Sequence, residues 1–219
     1  MKSNKILGME WSRYLELREE RPALFVDNGL IHIVMDETVV EEFQTKNHRK
    51  IGVVYESPYH ILLVDLVYQK EGEYFAYERL VPKVERGAVV MIPRHKDRII
   101  LLNQYRHAIR DYQYAFPRGF GETGLTAEEN CRKELVEEIG AKLVCSDFLG
   151  QVCPDSGVQG NMVSVFECEI SDYDDNLNSE GIKEILAVSI EQLVNMLKEG
   201  KITDSFTLAA LSLYNANMQ

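Results

Sequence analysis

Three carboxylates near the middle of the chain have a spacing that suits the binding of a hard metal ion. The run KELVEEIG at 133–140 places Glu134, Glu137 and Glu138 at positions i, i+3 and i+4. On an α-helix these side chains fall within one arc. Like charges at this spacing cost a helix roughly 0.2–0.5 kcal/mol per pair, so the arc indicates a counter-ion. Oxygen ligands suit Mg²⁺, which keeps several waters and also binds phosphates.

The residues around the carboxylates predict the helix that must carry them. Thr126 and Glu129 have the T-x-x-E spacing of a capping box, and Gly140 supplies a C-terminal stop. Four apolar residues form a stripe that would pack on a sheet: Ala127, Cys131, Leu135 and Ile139. The carboxylate arc lies beside this stripe and not opposite it, which favours a site at the edge of the packed face over a solvated acidic surface.

The segment from Gly119 to Ala141 resembles the Nudix box, G-x5-E-x7-R-E-U-x-E-E-x-G-U, in which U is a bulky aliphatic residue. Gly119 matches the first glycine, and the run ELVEEIG matches the core of the box. Three positions depart from it: Leu125 replaces the first glutamate, Lys133 replaces the arginine, and Ala141 replaces the last aliphatic residue.

The leucine and the lysine change the electrostatics of the box. In the family the arginine orients the acidic residues and the first glutamate is often its ion-pair partner, so the resemblance implies a rearranged support network. Lys133 keeps the positive charge but lacks the planar fork of arginine. We expect Lys133 to act as an electrostatic brace and to pair with Glu129 and Glu137 at i±4.

Outside the box, the sequence resembles one Nudix branch, the ADP-ribose and nucleoside-diphosphate-sugar pyrophosphatases. Three segments extend this resemblance over about residues 60–215: NQYR at 103–106, CPDSG at 153–157 and a helix signature at 201–211. Strands before the catalytic domain form a homodimer interface in this branch.

The resemblance implies metal-assisted hydrolysis of a diphosphate, with Mg²⁺ as the cofactor and Mn²⁺ as an alternative. Glu134, Glu137 and Glu138 would bind the metal together with the main-chain carbonyl of Arg118, which precedes the box glycine. The ion would bridge phosphoryl oxygens and lower the pKa of the attacking water. Glu134, Glu138 and Lys133 are the catalytic candidates.

Phosphate binding and proton removal have separate candidates. The guanidinium groups of Arg118 and Arg106 could bind phosphate in bidentate fashion. Members of the branch often have a glutamate as general base where this chain has Asn161, which cannot take a proton. The base is therefore either Glu134 or an acid from the loop at 172–184. The acids considered in that loop are Asp174, Asp175 and Glu180.

The composition indicates a compartment and a class of partner. Of 219 residues, 45% are hydrophobic and 27% are charged, as in ordinary globular proteins. A formal charge of −11 disfavours non-specific binding to nucleic acid or to an anionic membrane. The four cysteines form no C-x-x-C motif, and we find neither a secretory leader nor a membrane-length apolar run. We expect a soluble cytoplasmic protein whose partner is a small-molecule nucleoside diphosphate.

We predict an α+β protein with the Nudix fold, a mixed β-sheet sandwiched between helices (α/β/α), and an N-terminal β-rich accessory segment. The boundary is expected between an accessory and dimerisation segment at 1–85 and a Nudix hydrolase domain at 86–219. Residues before about 85 are too few to bury a core of their own. We therefore expect a homodimer in which this segment forms much of the interface, and Trp11 is expected to pack either against the body of the chain or in that interface.

Periodicity and turn residues predict the individual elements. In the accessory segment we expect helices at 8–20 and 37–46, and strands at 24–26 and 30–35 separated by a turn at 27–29. The elements expected further along are hairpins at 60–81 and 88–103, strands near 143–153, 162–170 and 183–188, and helices from 190 and over 204–215.

The reaction expected from the resemblance is cleavage of ADP-ribose or a related nucleoside-diphosphate sugar to a nucleoside monophosphate and a sugar phosphate. Two alternatives stay open. The Pro-Arg-Gly run at 117–119 is close to the basic run of Nudix hydrolases that act on dinucleoside polyphosphates. The substitutions at Leu125, Lys133 and Asn161 allow a weakly active or non-catalytic nucleotide-binding Nudix protein.

Overall fold

The computed structural model describes residues 7–27, 29–174 and 181–217. The chain folds into two compact units. The first comprises Met1–Lys83 with the short segment Asp155–Gly160, and the second comprises Val84–Pro154 with Asn161–Gln219. Within the described ranges, no helix combines the length and the apolarity needed to cross a membrane.

In the first unit, two helices accompany a four-stranded antiparallel sheet. The helices are α1 (Met9–Glu20) and α2 (Glu37–Asn47), as expected from the sequence. The central strand is β3 (His60–Tyr68), and it pairs with all three of the others. These are β1 (His32–Ile33), β2 (Gly52–Glu56) and β4 (Tyr74–Pro82). The hairpin expected at 60–81 is therefore confirmed.

One expected strand is wrong. The residues at 24–26 belong largely to a 3₁₀-helix, Pro22–Phe25. Proline at its first position fixes φ and removes an N–H group that a strand would use, which favours the start of a helical turn. The strand expected at 30–35 covers only His32–Ile33. In the turn expected at 27–29, Asn28 lies outside the described residues.

The first unit has a hydrophobic core, contrary to the expectation that residues before 85 are too few to form one. The two helices supply the apolar surface that the strands alone lack. Trp11 is 3% exposed and stacks on Tyr14 with ring centroids 5.2 Å apart. Trp11 is thus a core residue of its own unit, so of its two expected positions the one in a dimer interface is wrong. The buried core residues are Trp11, Tyr14, Leu17, Val34, Val40, Ile51, Val53, Ile61, Leu63, Val64, Leu66 and Val81.

A buried acid, Asp65 on β3, links three elements of this core. Asp65 is 2% exposed and accepts a hydrogen bond from the Tyr14 hydroxyl. Arg79 of β4 binds both carboxylate oxygens, with Nε–Oδ2 at 2.5 Å and Nη2–Oδ1 at 3.0 Å. Arg79 also donates to the carbonyl of Leu24 at 2.8 Å. Burial, together with the negative charge of Asp65, raises the pKa of Tyr14 above its usual range.

We predict that Asp65→Asn destabilises the chain by about 3–5 kcal/mol, because it leaves the buried charge of Arg79 uncompensated. Urea denaturation would measure the change. Glu78→Gln is the matched control: its partner is Arg49, both side chains are about half exposed, and the expected loss is about 0–1 kcal/mol. Equal losses in the two variants would contradict the prediction.

The second unit is built on a seven-stranded mixed sheet. Its main path runs β11-β6-β5-β10-β9, β7 pairs with β6, and β8 pairs with β5. The β5–β10 pair is parallel and the remaining pairs are antiparallel. The strands are β5 (Val89–His95), β6 (Arg98–Arg106), β7 (Asp111–Ala115), β8 (Arg118–Gly119), β9 (Leu143–Val152), β10 (Val163–Ile170) and β11 (Ile182–Val188).

Helices cover both faces of this sheet. They are α3 (Ala127–Ile139), α4 (Ile190–Lys198) and α5 (Ser205–Asn217). Alternate residues of β5 enter different cores, since successive strand side chains point to opposite faces. Val89 and Met91 pack with α3, whereas Val90 and Ile92 pack with α4 and α5. The predicted α/β/α arrangement is confirmed, as are the elements expected after residue 88.

Candidate active site

The helix that carries the three carboxylates is capped as the sequence predicts. Thr126 Oγ1 accepts from the backbone N–H of Glu129, and Glu129 Oε2 accepts from the backbone N–H of Thr126 at 2.8 Å. Gly140 ends α3 in the left-handed conformation, with φ 62°. Leu135 and Ile139 are fully buried against the sheet. These contacts fix the rotation of α3 and therefore the direction of its acidic side chains.

Two of the carboxylates reach the two-residue strand β8. Glu138 is 3% exposed, and its Oε2 accepts a hydrogen bond from the backbone N–H of Arg118 at 3.0 Å. Glu134 lies against Gly119 so closely that a Cβ built on this glycine would be 2.1 Å from the Glu134 carboxyl carbon. The carbonyl of Arg118 belongs to the peptide unit between these two contacts. Glu134 and Glu138 therefore both lie against the backbone of β8.

The third carboxylate has a different environment. Glu137 is exposed, and its Oε2 is 2.7 Å from Lys133 Nζ. The second partner of Lys133 is Glu122, at 2.8 Å. The expected pair with Glu129 is wrong, because the Glu129 carboxylate is engaged in the capping box. Hydrogen bonds to Glu122 and then to Glu137 raise the pKa of Lys133, so the amine stays positively charged.

The donor set suits Mg²⁺, although the side chains do not form a closed ligand cluster. Within the described ranges, no group of three or more His, Cys, Asp or Glu side chains could hold a metal ion as it stands. Glu138 accepts a hydrogen bond from a backbone N–H, and Glu137 pairs with Lys133. Proteins usually bind Mg²⁺ through one or two carboxylates together with water and substrate phosphates. Glu134, Glu138 and the Arg118 carbonyl would suffice.

The side chain of Arg118 has structural partners. Its Nη1 is 2.9 Å from Asp204 Oδ1, and its guanidinium lies over the ring of Phe206, 4.9 Å from the centroid. Asp204 Oδ2 also accepts from the backbone N–H and the hydroxyl of Thr207, and that hydroxyl accepts from the backbone N–H of Phe116. These bonds connect the start of α5 to the residues around β8. A phosphate would have to compete with Asp204 for this guanidinium.

Arg106 lies at the end of β6 beside an aromatic and cationic group. The rings of Tyr105 and Tyr112 are in edge contact, with centroids 5.4 Å apart. Lys183 lies over Tyr112 at 5.1 Å, and Arg110 lies over Tyr105 at 6.0 Å. Arg110 belongs to the turn between β6 and β7 and Lys183 to β11, so sequence spacing alone does not reveal that they cover these rings. Binding of phosphate by Arg106 stays a prediction.

The structure describes only some of the candidates for the general base. Asp174 donates its backbone N–H to the carbonyl of Ile139 at 2.8 Å, which holds it at the C-terminal end of α3. Asp175 and Glu180 lie outside the described residues. Asn161 is half-buried at the start of the segment that leads to β10. Glu134 at β8 and Asp174 are therefore the two candidate bases that the structure describes.

Sequence reasoning missed a polar residue that orients the loop after β8. Asn130 is fully buried on α3, and its Nδ2 donates to the carbonyls of Gly87 at 2.8 Å and Phe120 at 2.7 Å. The signal was its position: Asn130 is four residues before Glu134 and therefore lies on the same face as the candidate carboxylates. Asn130 fastens this loop to the helix.

Comparison with known proteins identifies the family. The family model for the Nudix domain matches residues 83–209, more than half of the chain. The chain belongs to the Nudix family.

Two similar proteins are both named as ADP compounds hydrolases. The curated protein "ADP compounds hydrolase NudE" of Escherichia coli (strain K12) is 34% identical over 77 residues, which are 35% of this chain and 40% of that protein. The aligned part thus spans about two fifths of the length of this relative. A solved structure titled "Crystal structure of ADP compounds hydrolase" superposes with a TM-score of 0.62 at 20% identity. It covers 75% of this chain and 89% of its own, which confirms the Nudix fold.

We predict that Gly119→Ala displaces Glu134 without unfolding the chain. The added methyl group overlaps the end of a flexible side chain, which can rotate away from β8. The thermal midpoint should therefore change little, whereas Mn²⁺ affinity, measured by electron paramagnetic resonance, should fall about tenfold or more. Gly29→Ala is the control, since the nearest atom to its built Cβ is 3.9 Å away. An unchanged Mn²⁺ affinity in Gly119→Ala would count against Glu134 as a ligand.

Proposed function

We propose that this Nudix protein is a Mg²⁺-dependent pyrophosphatase that cleaves ADP-ribose or a related nucleoside-diphosphate sugar to a nucleoside monophosphate and a sugar phosphate. One observation carries the proposal: Glu134 and Glu138 converge on the backbone of Arg118 and Gly119. The resemblance to a protein named an ADP compounds hydrolase supports an adenosine diphosphate compound as the substrate.

Different residues would bind the metal and the phosphate in a metal-assisted hydrolysis. Glu134, Glu138 and the Arg118 carbonyl would hold the metal, which when bound supplies charge neutralisation at the phosphoryl oxygens and an acidified water. Glu137 is the third ligand of the proposal: its Oε2 is 2.7 Å from Lys133 Nζ, and its other carboxylate oxygen, Oε1, would bind the metal. Arg106 would bind a phosphate oxygen from the end of β6.

The proton of the attacking water would go to a carboxylate. Glu134 is the preferred base, because it is half-buried and lies against Gly119 of β8. Asp174 is the alternative, from the end of α3. A general base typically contributes about 10²–10⁴-fold to the rate, so a variant that lacks the base should keep a measurable residual activity.

The proposal predicts that Glu138→Gln removes most of the activity and leaves the fold intact. The glutamine oxygen can still accept the hydrogen bond from the Arg118 N–H, so the loss reports the missing negative charge. Turnover should fall at least about 100-fold, since removing even an outer-shell partner costs about 10–100-fold. Glu128→Gln is the control, because Glu128 is an exposed acid on the same helix.

A panel of diphosphates with Mg²⁺ or Mn²⁺ tests the substrate class. It should contain ADP-ribose, other nucleoside-diphosphate sugars and dinucleoside polyphosphates, with phosphate-coupled detection of the products. Preference for the dinucleoside compounds would instead support a Nudix hydrolase of dinucleoside polyphosphates. Tight nucleotide binding without turnover by the wild-type chain would indicate a non-catalytic binding protein and would overturn the proposed reaction.

We also propose that the chain is a cytoplasmic homodimer, with the first 85 residues as the accessory and dimerisation segment and 86–219 as the catalytic domain. All four cysteines are free thiols, which supports a reducing compartment. Large apolar side chains on the first unit remain exposed and support an interface there. The most exposed of them are Met9 at 86%, Leu30 at 78%, Tyr59 at 62%, Tyr55 at 61% and Val26 at 61%.

Sedimentation at low micromolar concentration should give twice the 25.1 kDa mass of one chain. Obligate interfaces of this kind bury roughly 2,000 Å² or more in total, which makes dissociation at that concentration unfavourable. Leu30→Glu and Tyr59→Glu should shift the equilibrium toward the monomer if these side chains lie in the interface. A wild-type monomer with full activity would refute the dimer.

A further inference from the structure

A tight turn connects β8 to the start of α3. The backbone N–H of Leu125 donates to the carbonyl of Glu122 at 3.2 Å, and Gly124 has φ 89°. Positive φ at the third residue is the requirement of a type II turn, which explains the glycine. The first and fourth residues of such a turn lie close together, with their α-carbons less than about 7 Å apart. Positions 122 and 125 are therefore neighbours in space.

The carboxylate of Glu122 uses this position to bind Lys133. Lys133 Nζ is 2.8 Å from Glu122 Oε1 and 2.7 Å from Glu137 Oε2, so one amine connects the turn to the helix. The Lys133 side chain is 35% exposed, and that of Glu122 is 44% exposed. Glu129, four residues before Lys133, is held in the capping box and does not take this place.

We infer that Glu122 is a positioning residue of the metal site and takes the place of the carboxylate that position 125 lacks. It holds Lys133, and Lys133 in turn fixes Glu137 and screens the repulsion between Glu137 and the neighbouring Glu134. A carboxylate at position 122 can act in place of one at position 125, because the turn brings the two residues close together. The inference rests on the proposed function, since it assumes that the carboxylates of α3 bind a divalent cation.

A direct role for Glu122 makes a different prediction. If Glu122 bound the metal or served as the base, its removal would act independently of Lys133, and the losses of the two variants would add. If Glu122 acts through Lys133, the double variant should be no worse than the single variants, because the second change removes an interaction already lost.

A double-mutant cycle with Mn²⁺ separates these cases. The variants are Glu122→Gln, Lys133→Met and both together, and Mn²⁺ dissociation constants are measured by electron paramagnetic resonance, with kcat and KM alongside. We expect each single variant and the double variant to weaken Mn²⁺ binding about tenfold, near the lower end for outer-shell residues because these pairs are partly exposed. Additive losses of about 100-fold in the double variant would overturn the inference.

Two further variants test the geometry. Lys133→Arg keeps the charge and should retain Mn²⁺ affinity within about threefold. Glu122→Gln combined with Leu125→Glu moves the carboxylate across the turn and should recover most of the lost affinity. A thermal melt checks that this double variant is folded. If it is folded and binds Mn²⁺ no better than Glu122→Gln, positions 122 and 125 are not equivalent and this part of the inference is overturned. Glu128→Gln, with equal loss of charge, should bind Mn²⁺ like the wild type.

The outcomes also separate this inference from the proposed function. A wild-type chain that binds Mn²⁺ but hydrolyses no diphosphate would overturn the proposed reaction, while the cycle in Mn²⁺ affinity would still support or overturn the role of Glu122. Unchanged Mn²⁺ affinity in Glu122→Gln, with normal hydrolysis, would overturn the role of Glu122 and leave the proposed reaction standing.

Discussion

The site depends on the close approach of α3 to the backbone of β8. A side chain on Gly119 would occupy the space that the Glu134 carboxyl fills, and Glu138 reaches the N–H of the preceding residue. This approach removes Glu138 from water almost completely. An ionised carboxylate in such a place requires polar partners, and the backbone of β8 supplies one of them. The position of the acidic residues is therefore set by main-chain atoms on one side and by the packed face of α3 on the other.

The sequence was sufficient to predict whatever depends on local periodicity. The capping box at Thr126, the stop at Gly140 and the arc of three glutamates are contained in a short window, and each has one physical solution. The sandwich around the mixed sheet followed from the alternating apolar strands and from the resemblance. The prediction of a strand at 24–26 was wrong because Pro22, which fixes φ and lacks an N–H group, starts a 3₁₀-helix despite the apolar residues that follow it.

Contacts made across the chain were not predictable in the same way. Lys133 had an obvious partner at i−4, but Glu129 was satisfied more favourably by the backbone at its own helix start. Glu122 could become the partner only through a turn whose geometry depends on Gly124. Asn130 resembled an ordinary polar helix residue until its two carbonyl partners, on separate loops, were known. In each case a local rule competed with a tertiary contact that sequence spacing does not reveal.

The network around Asp204 has a consequence for the order in which the protein folds. It joins the residues next to β8 to α5 through contacts that are 86 and 91 positions apart along the chain. Closing loops of this length costs entropy before any contact repays it, so such contacts form late. During synthesis, the strand that receives the carboxylates emerges well before the helix that secures it. Until that helix docks, β8 and the acidic face of α3 lack the contacts through Asp204 and Thr207 that connect this part of the chain to α5.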